Sequence, residues 1–330
     1  MQTLIVLGVS MVIAVERLGE WLILPMRFFS NLGTEEFFFL VLPLIYWCID
    51  SSLGMRVGFI LLSSDVLNYV GKLIFAGPRP YWVSSHVKAL WSETSFGIPS
   101  GHAQHAMSVW GILAVRLRTR WAWTAAGFLI FLIGFSRVYL GAHFPHDVLA
   151  GWLIGGLLLF LFARYADRLA AWMGRKPPGQ QVLLTFLISL AFIAIGFSTV
   201  SMREGFPIPE TWTSNALLAG VEAPAQVDPN GIFTSAGTLF GLSLGLIWMY
   251  SIGGYHVVGP VWVRIVRYLV GLIGVLIFWM GLGFVLPEGE GWFFYSLRYA
   301  RYTLVGWWVS GGAPWVFARI GLAGKPSKSI

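Results

Sequence analysis

The side chains that can do chemistry in this chain fall into three short segments. Cations, a helix start with free N–H groups, and histidines are the parts that bind a phosphoryl group and transfer it through an imidazole. Phosphoryl transfer is therefore the predicted chemistry. The segments are, in chain order, Lys72 with Arg79-Pro80, then Pro99-Ser100-Gly101-His102, and then Ser136-Arg137 with His143 and Asp147.

The first segment pairs a lysine and an arginine across a helix break. Six residues separate Lys72 from Arg79, and Gly77-Pro78 interrupts the helix between them, so both cations can converge on one anion. The arginine fork matches phosphate oxygens bidentately, while the lysine supplies a point charge. Taken alone, the segment can also be a lysine and an arginine that snorkel at a membrane boundary.

The second segment has the form of a helix start. Ser100 is a suitable N-cap, and Gly101 lets a ligand approach free backbone N–H groups, which bind phosphate with help from the helix dipole. His102 follows directly and can protonate a departing oxygen. The alternative is an ordinary capped helix with a chance histidine.

In the third segment a basic helix end is followed by a histidine and an aspartate one helical turn apart. Arg137 ends one predicted span, and Pro145 is acceptable in the first turn of the next. The Asp147 carboxylate can take the Nδ1 proton of His143 and leave Nε2 as the nucleophile. The pair can instead bind a metal or make a structural hydrogen bond. A metal is disfavoured, because no compact set of further ligands accompanies the pair and nearby cations repel a divalent ion.

Polar residues also recur at helical spacing below Lys72. Asp65, Asn68 and Lys72 share one helix face. Asp65 is therefore predicted to lie below Lys72 and to stabilise its positive charge through Asn68 or a water, since a lone acid in hydrocarbon is costly. The alternative is a hydrogen bond that only packs helices.

Composition limits where such a site can lie. The chain of 330 residues is 57% hydrophobic and 11% charged, with a mean hydropathy of +0.73, which leaves too little polar surface to close a soluble globule. The net charge of +7 does not indicate nucleic acid, because the cations are spread over short loops and form no basic stripe with interleaved aromatic residues. Membrane lipids are the predicted surroundings, and nucleic acid is not a predicted partner.

Apolar runs long enough to cross ~30 Å of hydrocarbon cover most of the chain. They predict an all-α fold, a polytopic membrane helix bundle of about nine transmembrane helices. Leu4–Val15 is predicted to be an interfacial helix, with a span through residues 1–24 as the open alternative. The stretch 202–230, which contains four prolines, either connects two helices or covers the site, and connection is favoured. The runs are 37–49, 53–75, 102–115, 122–135, 148–162, 182–200, 231–250, 266–286 and 303–322.

Loop charges predict the orientation of the chain in a cell (inner) membrane. One set of alternate loops is rich in arginine and lysine, and the positive-inside rule places that set in the cytoplasm. All three signature segments then fall on the extracytoplasmic side. The inner set is Arg56, Arg116, Arg118, Arg120, Arg164, Arg168, Arg175, Lys176, Arg264, Arg267, Arg319, Lys325 and Lys328. The outer loops contain the acids Glu16, Glu20, Glu35, Glu36, Glu93, Glu204, Glu210, Glu222, Asp228, Glu288 and Glu290.

Considered together, the segments resemble the signature of the type 2 phosphatidic acid phosphatase superfamily. That signature reads Lys, six residues, Arg-Pro; then Pro-Ser-Gly-His; then Ser-Arg, five residues, His, three residues, Asp. The resemblance implies a six-helix-type catalytic core at 36–166, between an N-terminal segment 1–35 and further transmembrane helices at 167–330. It implies His143 as nucleophile, Asp147 as its orienting partner and His102 as general acid, with no metal and no organic cofactor. The phosphate-binding residues it implies are Lys72, Arg79, Ser100, Gly101 and Arg137.

Other stretches resemble two different branches of that superfamily. The stretch 32–50 is similar to sphingoid-base phosphate phosphatases, whereas 142–146, 237–242 and the extra C-terminal spans are similar to glucose-6-phosphatase. Asp147 departs from the animal glucose-6-phosphatases, which have an amide there, and favours the lipid-phosphate branches. The predicted reaction is hydrolysis of a lipid phosphate monoester or pyrophosphate (isoprenoid, phosphatidate or sphingoid) through a phospho-histidine. A sugar-phosphate hydrolase and a lipid phosphotransferase are the alternatives.

Overall fold

The computed structural model describes residues 2–203, 205–225 and 228–323. Within these ranges the chain is helical and contains no β-strand, and the predicted all-α class is confirmed. Glu204, Lys325 and Lys328, which were used to orient the chain, lie outside the described residues.

The helices follow one another with short connections. They are α1 Gln2–Glu16, α2 Ile23–Asn31, α3 Glu35–Cys48, α4 Ser51–Phe75, α5 Pro80–Val83, α6 Gly101–Leu117, α7 Arg120–Tyr139, α8 Pro145–Gly174, α9 Pro178–Arg203, α10 Glu210–Leu218, α11 Asn230–Ser251, α12 Val261–Leu276, α13 Leu282–Val285, α14 Trp292–Trp307 and α15 Ala313–Arg319. Two π-helical turns, Ile277–Gly281 and Trp308–Gly312, join α12 to α13 and α14 to α15.

Several helices have the length and hydropathy of membrane spans, and the chain is a multi-pass membrane protein. Among the described residues six helices qualify, and the number rises to seven if Glu20–Asn31 and Glu35–Cys48, bent by 50°, cross as one broken span. The predicted count of nine is therefore not confirmed. Helix α6 has 17 residues, and neither it nor α14 and α15 is among the qualifying helices. Helix α1 is apolar but short, and its interfacial position remains a prediction.

The chain forms two compact units, each made of three separate stretches. The first unit comprises 1–38, 63–164 and 196–228, and the second comprises 39–62, 165–195 and 229–330. Every predicted site residue belongs to the first unit. The division into 1–35, 36–166 and 167–330 remains a prediction about organisation along the sequence.

Helix breaks in the first unit place the predicted site residues at helix ends. Helix α4 ends at Phe75, and the non-helical stretch through Gly77-Pro78 leads into α5, which begins at Pro80. Proline suits a first helical turn because its missing N–H has no helical partner there. Helix α8 also begins with a proline, Pro145. The helix break predicted between Lys72 and Arg79 is confirmed.

Close helix contact brings the second and third segments together. A Cβ at Gly151 of α8 would lie 2.5 Å from the carbonyl oxygen of Ser100, so any larger residue would force α8 away from the start of α6. Around these helices a buried apolar cluster includes Tyr81, Trp82 and Phe144. This packing fixes the helix ends that hold the polar site residues.

The stretch 202–230 does more than connect two helices. It contains α10, whose Trp212 stacks on Trp82 with ring centroids 5.7 Å apart, and the side chain of Asn215 donates a hydrogen bond to the Trp82 carbonyl at 2.9 Å. The Ala225 N–H bonds the Thr94 carbonyl at 3.0 Å. The segment thus covers the short helix and loop that follow Arg79, contrary to the favoured expectation of a plain connection.

In the second unit, a separate core surrounds Trp47 and Phe317, whose rings meet edge to face at 5.7 Å. The fully buried Arg267 donates hydrogen bonds to the carbonyls of Val257, Val258 and Leu322 at 2.5–2.6 Å. Because backbone carbonyls satisfy this guanidinium, Arg267 has a structural role in joining the stretch before α12 to the residues that follow α15.

Candidate active site

The cations predicted to bind phosphate converge on one carboxylate, that of Glu93 in the loop between α5 and α6. The Arg79 Nη2 lies 2.6 Å from Oε2 of Glu93, and Arg137 donates through Nη2 to Oε1. The Lys72 Nζ lies 3.8 Å from Oε2. We call Lys72, Arg79 and Arg137 the cation cradle. Its members come from α4, from the residue before α5 and from α7, so the fold brings all three to a single anionic group.

The Glu93 carboxylate also faces a histidine. Nδ1 of His102 lies 3.8 Å from Oε1 of Glu93, and the His102 side chain is 14% exposed. Burial alone would raise the pKa of Glu93, but the charges of Arg79, Arg137 and Lys72 outweigh burial and hold that pKa well below its usual range. Glu93 therefore remains a carboxylate, and its oxygens mark a point where an oxyanion is strongly stabilised.

Arg79 is held rigidly by its surroundings. The side chain is fully buried, and it donates to the carbonyl oxygens of Ser95 at 2.7 Å, Ala142 at 2.9 Å and Phe96 at 3.3 Å. A guanidinium cannot be deprotonated in proteins, so these bonds fix a permanent charge in one orientation. The fork is thereby preorganised for an anion.

Arg137 is buried in a similar way. Its Nη1 donates to the Ser30 hydroxyl at 2.6 Å, and its Cζ lies 5.1 Å from the centroid of the Trp91 ring. Its Nε is buried without a hydrogen-bond partner. Lys72 is steadied by a 2.8 Å hydrogen bond to the Ser95 hydroxyl, so each member of the cradle is oriented by a polar neighbour.

His143 lies between Arg79 and Asp147. Its Nε2 is 3.2 Å from Nη1 of Arg79, and its Nδ1 is 3.4 Å from Oδ2 of Asp147. A guanidinium only donates, so Nε2 must be the unprotonated nitrogen and Nδ1 bears the hydrogen. Burial and the Arg79 charge hold the pKa of His143 well below its usual range, which keeps the imidazole neutral with a lone pair on Nε2.

Asp147 is positioned by the backbone at the start of α8. Its Oδ2 accepts a hydrogen bond from the Phe144 N–H at 2.9 Å, and its carbonyl accepts one from the Ser100 N–H at 3.0 Å. The Nδ1 to Oδ2 distance of 3.4 Å to His143 is longer than a well-formed hydrogen bond. Catalytic hydrogen bonds are often long in unliganded sites and tighten when substrate binds.

Ser100 occupies the N-cap position of α6 as predicted, but its hydroxyl makes no capping hydrogen bond. The hydroxyl is buried without a partner, and a buried hydroxyl left unpaired costs free energy unless a ligand satisfies it. This geometry fits a ligand-binding role better than a capping one. Gly101 opens the helix next to it, and a Cβ there would lie 3.0 Å from Oδ1 of Asn68.

Asn68 and Asp65 lie against the start of α6. Asn68 donates from Nδ2 to the Pro99 carbonyl and to Oε1 of Gln104, both at 3.1 Å, so it orients the start of α6. The Asp65 Oδ1 lies 4.0 Å from Nε2 of His105. Support of Lys72 by Asp65 through Asn68 therefore remains a prediction, while the observed hydrogen bonds of Asn68 point to the helix start.

One group within the described ranges has the donors of a metal site. Glu35, Asp65 and His105 offer ligand atoms that all lie within 4.8 Å of one another, and the Ser64 hydroxyl lies 2.9 Å from Nδ1 of His105. A divalent ion prefers carboxylate and imidazole ligands of this kind. The chemistry described below does not use this group.

Glu93 is the site residue that sequence reasoning missed. The sequence alone places it among the acids of the outer loops, because an isolated glutamate between two motifs has no diagnostic spacing. Its contacts with Arg79 and Arg137 join residues 14 and 44 positions away. A signal was nevertheless present, since buried cations require a counter-charge and Glu93 is the acid between the first two segments.

Two family models match the chain. The model described as PAP2 superfamily matches residues 53–171, which contain the three segments, and the model described as PAP2 superfamily phosphatase, transmembrane extension, matches residues 233–325. Together the matched residues make up more than half of the chain. The residues matched by the first model thus include the cation cradle and both site histidines, His102 and His143. The chain belongs to the PAP2 superfamily.

Known relatives within that superfamily act on different phosphates. Human glucose-6-phosphatase 2 is 24% identical over 317 residues, covering 84% of this chain and 85% of the relative. Undecaprenyl-diphosphatase of Sulfolobus acidocaldarius is 30% identical over 138 residues, covering 41% of this chain and 66% of the relative. A solved phosphatidylglycerolphosphate phosphatase of PAP2 type from Bacillus subtilis is 27% identical, with a TM-score of 0.40, and the match covers 48% of this chain and 86% of that one. The protein is a membrane PAP2-type phosphatase, similar to glucose-6-phosphatases over most of its length.

Proposed function

We propose that the protein hydrolyses a phosphate monoester or pyrophosphate of a lipid, on the extracytoplasmic face of the membrane, through a phospho-histidine at His143. The observation that supports this most strongly is the convergence of Lys72, Arg79 and Arg137 on one oxyanion, with His102 on its rim. The Glu93 carboxylate stands where the substrate phosphoryl group would bind. Substrate binding then exchanges one anion for another within the cradle.

The first step forms the phosphoenzyme. The Nε2 lone pair of His143 attacks phosphorus while the bond from phosphorus to the leaving oxygen breaks, and His102 protonates that oxygen through the nitrogen that faces the cradle. The phosphorylated imidazole gains positive charge, which the Asp147 carboxylate beside Nδ1 stabilises.

The second step returns the enzyme to its starting state. A water attacks phosphorus, His102 takes a proton from that water, and the bond between phosphorus and Nε2 breaks. Inorganic phosphate leaves, and His143 is again neutral. In both steps the fixed charges of the cradle stabilise the equatorial phosphoryl oxygens, the role that divalent ions have in many phosphoryl transferases. The proposed reaction therefore needs no metal.

A sugar phosphate is the second candidate substrate. The match to a human glucose-6-phosphatase over 84% of this chain favours it, whereas Asp147 and the match to an undecaprenyl-diphosphatase favour a lipid.

The purified protein should be assayed for phosphate release from undecaprenyl pyrophosphate, phosphatidate, sphingosine phosphate and glucose 6-phosphate, with and without vanadate. The proposal expects a higher kcat/KM for at least one lipid than for the sugar. A preference for glucose 6-phosphate would replace it with the second candidate, and acceptor-dependent activity would indicate a phosphotransferase.

Replacing Glu93 should expose the competition between its carboxylate and phosphate. In Glu93→Gln the cradle loses its internal counter-charge, so inorganic phosphate should bind about tenfold more tightly, since a neutral amide holds a guanidinium less strongly than a carboxylate does. The ligand-free protein should melt at a lower temperature, because buried cations are left unpaired. Thermal unfolding at a series of phosphate concentrations measures both effects.

The exposed Glu222, also in the first unit, provides the matched control as Glu222→Gln, which should resemble the wild type. If Glu93→Gln bound phosphate no more tightly than the wild type, Glu93 would not be occupying the phosphate position. Its role would then be to shape the cradle rather than to compete with substrate.

A further inference from the structure

A cavity in the second unit contains two arginines that the phosphatase chemistry does not use. Its volume is about 190 Å³, and because about 10–15 Å³ suffices for one water, it has room for a polyatomic anion. The cavity lies beside the first turns of α14, and eight of its nine lining residues fall within the range matched by the transmembrane-extension model. Its lining is Asn230, Leu286, Pro287, Glu288, Gly289, Phe294, Leu297, Arg298 and Arg301.

The guanidinium of Arg301 is only weakly held by its neighbours. Its side chain is 13% exposed, its Nε is buried without a partner, and no hydrogen bond joins it to any described residue. The acid beside it is Glu288, whose Oε1 lies 3.9 Å from Nη1 and whose side chain is 77% exposed. A carboxylate so exposed contributes little to holding the guanidinium, since solvent screens the pair.

Arg298 presents its charge to the same cavity. Its Nε donates to the Thr234 hydroxyl at 2.9 Å, which leaves the terminal nitrogens as donors for a ligand. The residues are three apart on α14, so their side chains share a helix face. Both guanidinium groups lie near the ring of Tyr302, at 5.5 Å and 5.2 Å from its centroid, and this common contact keeps the forks together.

A glycine makes room for one of the forks. A Cβ at Gly283 of α13 would lie 3.1 Å from Nη1 and 3.2 Å from Cζ of Arg301. These distances are tight for carbon, so a larger residue would press on the guanidinium. The backbone of α13 therefore packs closely against Arg301.

The pair also departs from the charge pattern of the loops. Arg298 and Arg301 follow the acidic loop that contains Glu288 and Glu290, on the predicted outer side, where the positive-inside rule makes cations less frequent. A phosphate-bearing anion would supply the hydrogen-bond acceptors that the two guanidinium groups lack.

We propose that Arg298 and Arg301 form a second anion site, which binds the phosphate of an anionic lipid headgroup or of a free phosphate ester. Two guanidinium forks match phosphate oxygens bidentately. The exposed Glu288 side chain moves away from Arg301 when the anion binds. The lining contains no histidine, serine or cysteine, so the site binds without hydrolysing. It is separate from the cation cradle and does not depend on the proposed reaction.

Thermal unfolding of the purified full-length protein tests the site with three probes: phosphatidylglycerol, phosphatidylcholine and inorganic phosphate. The double variant Arg298→Gln/Arg301→Gln should need about tenfold more of the binding anion for half-maximal stabilisation, the loss of about 1.4 kcal/mol expected when charge-assisted bonds are removed. Arg319→Gln, an exposed arginine of the same unit, is the control and should behave as the wild type. Selective loss of the phosphatidylglycerol response identifies a lipid headgroup. Inorganic phosphate also stabilises the protein through the cation cradle, so a fall in the phosphate response to the part that the cradle supplies identifies a free anion.

A second variant keeps the test decisive if the double variant folds poorly. Glu288→Gln removes the competing carboxylate from an exposed position and should tighten anion binding. Phosphate release from substrate should be unchanged in both variants, which separates this site from the catalytic one. If the double variant and the wild type responded equally to both anionic probes, or if Glu288→Gln weakened binding, the proposal would be overturned.

Discussion

His143→Ala should abolish phosphate release, with an expected fall in kcat of about four orders of magnitude or more, as for the removal of other catalytic nucleophiles. The reason is geometric: Nε2 of His143, 3.2 Å from Nη1 of Arg79, is the proposed nucleophile, and alanine offers no lone pair to phosphorus. The measurement is steady-state release of inorganic phosphate from the preferred substrate.

Two controls distinguish lost chemistry from lost structure. His86→Ala changes an exposed histidine in the loop before Glu93 and should leave kcat unchanged. The His143→Ala protein should still be stabilised by inorganic phosphate, because Lys72, Arg79 and Arg137 remain in place. Residual turnover within tenfold of the wild type would remove His143 from the mechanism.

His102→Ala should slow hydrolysis by about 10²–10⁴-fold for substrates with alkoxide leaving groups, the usual contribution of a general acid. An activated ester such as p-nitrophenyl phosphate needs no proton on its leaving group, so formation of the phosphoenzyme should remain fast. Water attack would still be slow without the base. Stopped-flow absorbance should therefore record a burst of about one equivalent of p-nitrophenol, followed by slow turnover.

A purely structural role of His102 would not produce this dependence on the leaving group. The ring packs edge to face on Trp91 at 6.0 Å, and its removal by mutation also leaves space in the site. If the variant lost activity equally for both kinds of ester and gave no burst, His102 would be a packing residue and the acid would have to be sought elsewhere.

Most of the proposed site could be predicted because its residues lie at local features that sequence specifies. Pro80 and Pro145 start helices, Gly77-Pro78 ends one, and Asp147 follows His143 by one turn. These local rules placed the cations and histidines at helix ends near one another. The helical class followed from hydropathy in the same way, because each apolar run needs no knowledge of its neighbours.

The features that escaped prediction depend on contacts between distant parts of the chain. Glu93 meets Arg137 across 44 positions, and Ser30 meets the same guanidinium across 107 positions. The packing of α10 on Trp82 is likewise long-range. Hydrophobic periodicity contains no information about such pairings. The number of membrane spans is also difficult to predict from sequence, because a helix of 17 residues such as α6 lies at the limit of the length needed to cross a bilayer.

The central claim is that an imidazole in this membrane protein becomes transiently phosphorylated. The direct measurement is rapid quenching with alkali of the enzyme mixed with phosphorus-labelled substrate, followed by proteolysis and mass spectrometry of the peptides. The account predicts an acid-labile phosphoryl group on His143 that accumulates in His102→Ala and is absent in His143→Ala. A phosphoryl group on a different residue, or turnover by His102→Ala with no labelled intermediate at any time, would contradict it.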